Sequence, residues 1–384
     1  MMDLVLSNEQ LMIKNNVRRF LEKEVQPMVE EYEELGKPVP AEVFKSLVPF
    51  GFIGGQLPEE AGGADLDYTT YFIMIEELSA VWPSLRSMVS IGNSVLTYIY
   101  SYGTEEQRKK YVEPLLTGDK MGFFALTEPN VGSDASGVQA TATLQGDSWV
   151  LNGTKMFITN GAQADIGIVF AQTDKSKGAG GITAFLVEKN ESPFAARSIK
   201  KMGMHSCPTA ELVFEDCRIP RENVLGEIGQ GLKLGLKFLN SGRALFGFVC
   251  AGVAQACVDA SIKYATGREQ FGRKIGGFQL IQEKIADMLI LTSAMRLLGF
   301  QAADMLDKGL PCRKEASMAK IFSTESVLKV ADMAIQIHGG YGYSREFPVE
   351  RLYRDVRHLA IAEGTNEIQR LIIGREVLGI SAFK

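Results

Sequence analysis

The chain has 384 residues, 46% of them apolar and 23% charged, with 41 Lys and Arg against 46 Asp and Glu for a formal net charge of −5. That length predicts two or three domains, and the charge balance gives no electrostatic reason to expect nucleic acid or an anionic membrane. No apolar run is expected to reach the roughly 20 residues of a spanning helix, and the start, MMDLVLSNEQ, lacks a basic-then-apolar signal, so the expectation is a cytoplasmic protein. Residues 1–120 read as a helical domain. SNEQLMIKNNVRRFLEKEV opens on a capping candidate, Ser7, and places Leu11, Val17, Phe20 and Leu21 at helical spacing. TTYFIMIEELSAV and EEQRKKYVEPLLTG read as further helices, with LPEEAGGADLD as a turn-rich loop between them.

From 121 to 230 the pattern changes. WVLNGTKMFITNG, DIGIVFAQT, GITAFLVEK and TAELVFEDCRIP are short, β-branched and aromatic, with Gly, Asn, Asp or Lys clusters between them. Strands this short need one another, which predicts a small barrel or sandwich. From 231 to 384 helices return. FQLIQEKIADMLILTSAMRLLGFQAADMLDKG is apolar nearly all round, as a helix inside a bundle would be, and RKEASMAKIFSTESVLKVADMAIQIHGG ends on a glycine pair suited to a C-cap. The predicted class is α+β: an N-terminal helical bundle, a middle β domain and a C-terminal four-helix bundle.

The cysteines (Cys207, Cys217, Cys250, Cys257 and Cys312) are scattered without a C-x-x-C pair, and only His205, His338 and His358 are available beside them. A zinc site is therefore set aside in favour of buried thiols. Neither a Walker A pattern nor G-x-G-x-x-G occurs, which argues against a P-loop or Rossmann site. Arg351, Arg354 and His358, at i, i+3 and i+7, read as a helix face paired with Asp355 or Glu350. His205 reads as a satisfied loop histidine, and Trp82 and Trp149 as packing. In IAEGTNEIQR, Glu363 stands among small and apolar neighbours, before Gly364 and a capping candidate, Thr365. Taken alone, such a glutamate is a solvated turn residue. The alternative is a general base whose pKa is raised by desolvation.

FALTEPNVGSD (124–134), LNGTKMFITNG (151–161), GREQFG (267–272), QIHGGYGYSREFPVERLYRD (336–355) and AEGTNEIQR (362–370) together resemble the acyl-CoA dehydrogenase family, in order and spacing. The resemblance implies FAD, an acyl-CoA substrate, and Glu363 as the base that takes the α-proton while the β-hydride passes to the flavin. Some members carry the base on another helix, at the position that is Gly242 here, which leaves Glu363 as the base. Phe124, Leu126, Thr127 and Gly132 are implied to line the flavin, and Ser133 to meet the diphosphate or the substrate. Phe157, where many relatives have Trp, is implied as the ring wall, with Ile158 and with Thr159 bonding near the reactive nitrogen. Arg268, Gln270, Phe271, Gln279, Gln336, Gly339 and Gly340 resemble residues that hold the adenine dinucleotide of a neighbouring subunit, which implies a homotetramer. Thr365 and Glu367 follow onto the same cofactor. Leu239, Asn240, Arg243, Ala362 and Gly364 are implied to surround the substrate.

For the acyl group, Ala362 (many relatives have Tyr), Gly242 and Phe157 suggest a wide, short pocket for a short, branched or alicyclic acyl-CoA such as cyclohexanecarboxyl-CoA. Arg86, Ser87 and Ser90 resemble the glutaryl-CoA dehydrogenase segment that meets a distal carboxylate, which makes glutaryl-CoA, with or without decarboxylation, the second reading. The electron acceptor implied is an electron-transferring flavoprotein. A flavin-containing lyase on the same fold and a non-catalytic helical assembly module are the readings from other classes; the first tends to lose the glutamate that this chain keeps.

Overall fold

The computed structural model describes residues 6–382. Ser7 caps the first helix, α1 (Asn8–Phe20), in a reciprocal capping box with Gln10. A turn of π-helix leads into α2 (Gln26–Leu35), which stops at Gly36 in the left-handed conformation, and α3 (Ala41–Ser46) follows. Val17 and Leu21 are buried and Phe20 half-buried as the periodicity predicts, but Leu11 is exposed, on the helix face turned away from Ile13 and Val17. The next helices are α4 (Tyr68–Val81), α5 (Pro83–Tyr102) and α6 (Glu105–Leu116). Trp82, between α4 and α5, is a fully buried packing residue and donates its Nε1–H to Glu33 at 2.8 Å.

Strands β1 (Gly122–Ala125), β2 (Thr141–Gln145), β3 (Ser148–Thr159), β4 (Ile166–Gln172), β5 (Ile182–Glu188), β6 (Ala195–Ser198), β7 (Thr209–Pro220) and β8 (Val224–Leu225) form one mixed sheet, in the order β6-β7-β3-β2-β4-β5-β8 with β1 on β4. Trp149 on β3 and Phe185 on β5 have ring centroids 5.4 Å apart although two strands separate them. A flat sheet would hold them roughly 14 Å apart at about 4.8 Å per strand, so the sheet curls around its own core.

The C-terminal part begins with α7 (Gly231–Gly267), followed by a small hairpin of β9 (Glu269–Gln270) and β10 (Arg273–Lys274), then α8 (Gln279–Asp307) and α9 (Arg313–His338). Helices α10 (Val349–Val356) and α11 (Asn366–Leu378) complete the described chain. Two sequence expectations change here. Helices α7 and α8 are both long and apolar enough to cross a membrane by length and composition; 72% of the apolar window of α7 is buried inside the protein, against 28% for α8. Helix α8 is thus an outer helix. Met288, Thr292, Met295 and Gly299 face inward, while Ile290 (64% exposed) and Leu297 (46%) lie on the opposite face.

Candidate active site

The turn after α10 bends the chain back on itself. Residues Arg357–Ala360 form a single 3₁₀ turn, and then Glu363 (φ 55°) and Gly364 (φ 87°) are consecutively left-handed. Glycine takes that conformation freely; for glutamate it costs about 1–3 kcal/mol, which the surroundings must outweigh. Thr365 then caps α11, accepting from the Ile368 N–H. The carbonyls of the turn are held one by one. Gln369 Nε2 donates to the Glu363 and Gly364 oxygens at 3.3 and 3.0 Å, and Arg243 Nε to the Glu363 oxygen at 3.4 Å. Lys320 Nζ donates to the Ala360 and Gly364 oxygens at 3.3 and 3.1 Å.

The Glu363 side chain is aimed inward. Its Oε2 is buried without a hydrogen-bond partner, and it lies 2.4 Å from where a Cβ on Gly242 would stand. Burial pushes this carboxyl above the usual carboxylate range, opposed by Arg243, Arg86 and Lys320. An unpartnered acceptor of raised basicity is what proton removal from carbon asks for.

Arg86, on α5, is 6% exposed. Its Nε has no partner, and among the described residues no carboxylate lies within salt-bridge distance of it. Burial lowers its pKa, and Glu363 is the largest charge opposing that shift. It is therefore neither an exposed nor an ion-paired arginine. Ser87 and Ser90 are half-buried on the same helix, and the Ser90 Oγ also lacks a partner. On α7, Leu239 and Asn240 are half-buried and Asn240 accepts from Arg243 Nη1 at 3.4 Å; Ala362 is half-buried beside the glutamate. His358 does not share the ion-pair face expected for it. Helix α10 ends before it, so Arg354 pairs with Glu350 (2.7 Å) and Arg351 with Asp355 (3.5 Å), while the His358 Nδ1–H donates to the Asp355 carbonyl at 2.8 Å. Desolvation first, then Arg86, push its pKa down to about 4, so it is neutral at ordinary pH. His205 is satisfied as expected, donating from Nδ1 to the Glu33 carbonyl at 3.2 Å.

On the β domain, Phe157 stands at φ 60° on a register shift between Lys155 and Ile158, with its ring 65% exposed. Thr127 and Thr159 are half-buried beside that strand, and the Thr127 carbonyl accepts from the Met156 N–H at 2.9 Å. Phe124 is half-buried against Phe170, 4.9 Å between centroids, and Leu126 is half-buried. Gly132 and Ser133 are exposed at the loop tip. Ile158 differs from expectation. Strand alternation turns its side chain into the sheet core, leaving only its backbone to face outward.

A second concavity, of about 1110 Å³, is lined by Arg268, Gln270, Phe271, Phe278, Gln279, Gly339 and Gly340, among others from residues 264–281 and 337–346. None of its lining residues comes from the β domain. Phe271 is 93% exposed, and nothing lies within 4 Å of a Cβ built on Gly339 or Gly340. Gln336, grouped with these residues in the sequence, is exposed one turn back on α9 and does not line the groove.

Three acyl-CoA dehydrogenase domain families match in sequence: the N-terminal domain over residues 7–119, the middle domain over 123–217 and the C-terminal domain over 229–378. An acyl-CoA dehydrogenase of Bacillus subtilis is 42% identical over 376 residues, covering 97% of this chain and 99% of its own. The chain belongs to the acyl-CoA dehydrogenase family. Subunit CarC of the caffeyl-CoA reductase-Etf complex of Acetobacterium woodii is 41% identical, with 98% and 100% of the two chains covered. A solved glutaryl-coenzyme A dehydrogenase in complex with glutaryl-CoA matches with a TM-score of 0.95 at 38% identity, covering 98% of this chain and 97% of that one.

As an acyl-CoA dehydrogenase the protein is an FAD-dependent oxidoreductase acting on the CH–CH bond of acyl-CoA thioesters. The residues present fit such a cofactor: a bare aromatic face at Phe157, a long groove with an exposed phenylalanine and a cationic Arg268, and two glycines open to close backbone approach. Sequence reasoning missed the supports. Lys320, Gln369 and Asn366 under the Glu363 turn are buried polar groups, and so are Lys155 and Glu128 under the loop. Their only signal was position: Lys320 sits in ASMAKIF and Lys155 in NGTKMF, each a lone charge among small or apolar residues.

Proposed function

We propose that this acyl-CoA dehydrogenase oxidises a short-chain acyl-CoA whose distal end carries a carboxylate, of the glutaryl class, with Glu363 as the base. The observation that carries the reading is Arg86, a buried guanidinium with no carboxylate partner in the same electrostatic neighbourhood as the Glu363 carboxyl. A buried charge is tolerated when something pairs with it, and a substrate carboxylate is the partner of matching shape. The glutaryl-CoA complex among the similar structures supports the same assignment.

FAD, when bound, would supply the acceptor for the β-hydride. The chain's own residues do the rest: Glu363 Oε2 takes the α-proton, the turn around it fixes its direction, and Phe157 with the Thr127 and Thr159 region would hold the flavin ring. Arg268, Gln270, Phe271, Gln279, Gly339 and Gly340 would hold the adenine end of a cofactor bound mainly by a second copy, since no β-domain residue reaches that groove. The exposed apolar face of α8 supports a homotetramer, and the relation to an Etf complex subunit supports an electron-transferring flavoprotein as acceptor.

The second reading is a neutral short, branched or alicyclic acyl-CoA, favoured by the space beside Ala362 and Gly242. Anaerobic bleaching of the flavin by glutaryl-CoA, butyryl-CoA and cyclohexanecarboxyl-CoA separates the two. The diacid reading expects glutaryl-CoA to bleach fastest, and Arg86→Ala to slow it by the equivalent of about 2–5 kcal/mol while sparing the others. Faster bleaching by cyclohexanecarboxyl-CoA, indifferent to Arg86→Ala, would establish the second.

A further inference from the structure

Lys320 is a buried cation under the Glu363 turn whose charge has no role in the proposed steps. Its side chain is 0% exposed, it lies on α9, and it makes no salt bridge among the described residues. Its three donors go to three neutral acceptors: the Ala360 oxygen at 3.3 Å, the Gly364 oxygen at 3.1 Å and Asn366 Oδ1 at 2.8 Å. An ammonium has three donors, so the set is complete. The acceptors bracket Glu363 from both sides, and Asn366 is itself fixed by Thr324 Oγ1 at 3.1 Å. The Phe246 ring closes over the same nitrogen at 5.7 Å.

Burying an ammonium against carbonyls alone is an expensive way to hold a turn, because a neutral donor could satisfy the same acceptors. What a cation adds here is a positive charge beneath a carboxyl that must be ionised to act. We propose that Lys320 is the positioning residue of the base: it clamps the left-handed turn that aims Glu363 Oε2 at Gly242 and, with Arg243 and Arg86, sets a positive charge beside that carboxyl. This rests on Glu363 being the base. The groups facing Glu363 are Arg86 from α5, Arg243 from α7 and Lys320 from α9; those facing Lys320 are Glu363, Cys250, Arg243 and Glu367. Burial draws the Lys320 pKa down to about 8, with Glu363 the first charge opposing that shift, so the ammonium is still protonated at neutral pH.

The test compares Lys320→Met, Lys320→Arg and Glu363→Gln holoenzymes with the parent, using glutaryl-CoA and butyryl-CoA under anaerobic conditions. In Lys320→Met, flavin reduction at saturating substrate should fall at least 100-fold with KM changed less than threefold, and the acid limb of the pH profile should move to higher pH. Carboxyl infrared absorption of the substrate-free protein should report the same upward move without turnover. Should Lys320→Met fail to fold, Lys320→Arg decides. A planar fork keeps the charge but misfits three convergent carbonyl-type acceptors, so the rate should drop at least tenfold with the midpoint in place. A parent-like rate and midpoint in Lys320→Met, or a parent-like rate in Lys320→Arg when the Met variant is unfolded, overturns the proposal. An inert Glu363→Gln beside a parent-like Lys320→Met removes the clamp alone; an active Glu363→Gln removes the base and the clamp with it.

Discussion

Glu363 is legible in the sequence as a candidate base because its neighbours are distinctive as a string, whereas the groups packed under its turn are only partly legible. A lysine inside a helix is a surface residue in most proteins, so the small and apolar neighbours of Lys320 in ASMAKIF are a weak mark of its burial beneath the turn. Gly242 gave a clear signal as a missing side chain, but only the structure shows that its absence is a requirement, with Oε2 2.4 Å from a virtual Cβ. Gly242→Ala should therefore push the carboxylate aside without unfolding α7, since the clashing atom ends a flexible side chain. Rate should fall about 10²-fold, as misplacement of roughly 1 Å does, with the melting temperature nearly unchanged; a parent-like rate of flavin reduction would show that the carboxylate does not lie against position 242. His358 gives a prediction of a different kind. Its pKa is lowered on folding, from 6.5 to about 4, so the unfolded chain binds the extra proton and stability falls as pH drops through that window. Arg86, Lys201 and Lys320 all face it and act in the same direction. About 1–3 kcal/mol should be lost between pH 6.5 and 4, and His358→Gln should flatten that loss in denaturant titrations. An unaltered pH slope in the variant would assign the acid sensitivity elsewhere.

Elements followed sequence pattern where one face decides the outcome and departed from it where a partner does. The β strands were readable because β-branched runs between turn residues leave few alternatives. The sharp bend at Phe157 was not, because a register shift depends on pairing across β3 and β7 rather than on the strand's own residues. Beneath that bend, Lys155 Nζ donates to Glu128 Oε1 at 2.7 Å with both side chains buried, and Glu128 also accepts from the Gln139 and Ala140 N–H groups at 2.7 and 3.0 Å. The pair ties the 124–134 loop to the strand carrying Phe157. Lys155→Met strands a buried carboxylate and should cost about 3–5 kcal/mol, together with flavin content. Pairing it with Glu128→Gln should recover part of the stability, seen as a higher melting temperature than in the single variant. If Lys155→Met melts like the parent and stays yellow, the ion pair does not organise this edge of the site.

At the scale of the whole molecule, the all-round apolarity of α8 looked like interior helix and instead marks an outer one. Periodicity cannot distinguish a helix buried in its own bundle from one whose second face is covered by another chain, since both are apolar on both sides. Ile290 and Leu297 are seven residues apart, two helical turns, and so stack on the face opposite Met288 and Met295. A stripe of this kind, on the same helix that begins at the groove of Gln279 and Phe271, links assembly to cofactor retention if a second copy's dinucleotide lies there. The pair Ile290→Asp and Leu297→Asp touches neither the Glu363 turn nor the groove lining. It should yield a smaller species in sedimentation velocity, with unchanged helical circular dichroism and weakened FAD binding, the protein paling on dilution. Free FAD in excess should restore colour more readily than it restores size. A variant that sediments like the parent would show that this face is not an assembly contact. One that is smaller yet retains FAD as tightly as the parent would show that each chain holds its cofactor alone, and the groove at Phe271 would then need another occupant.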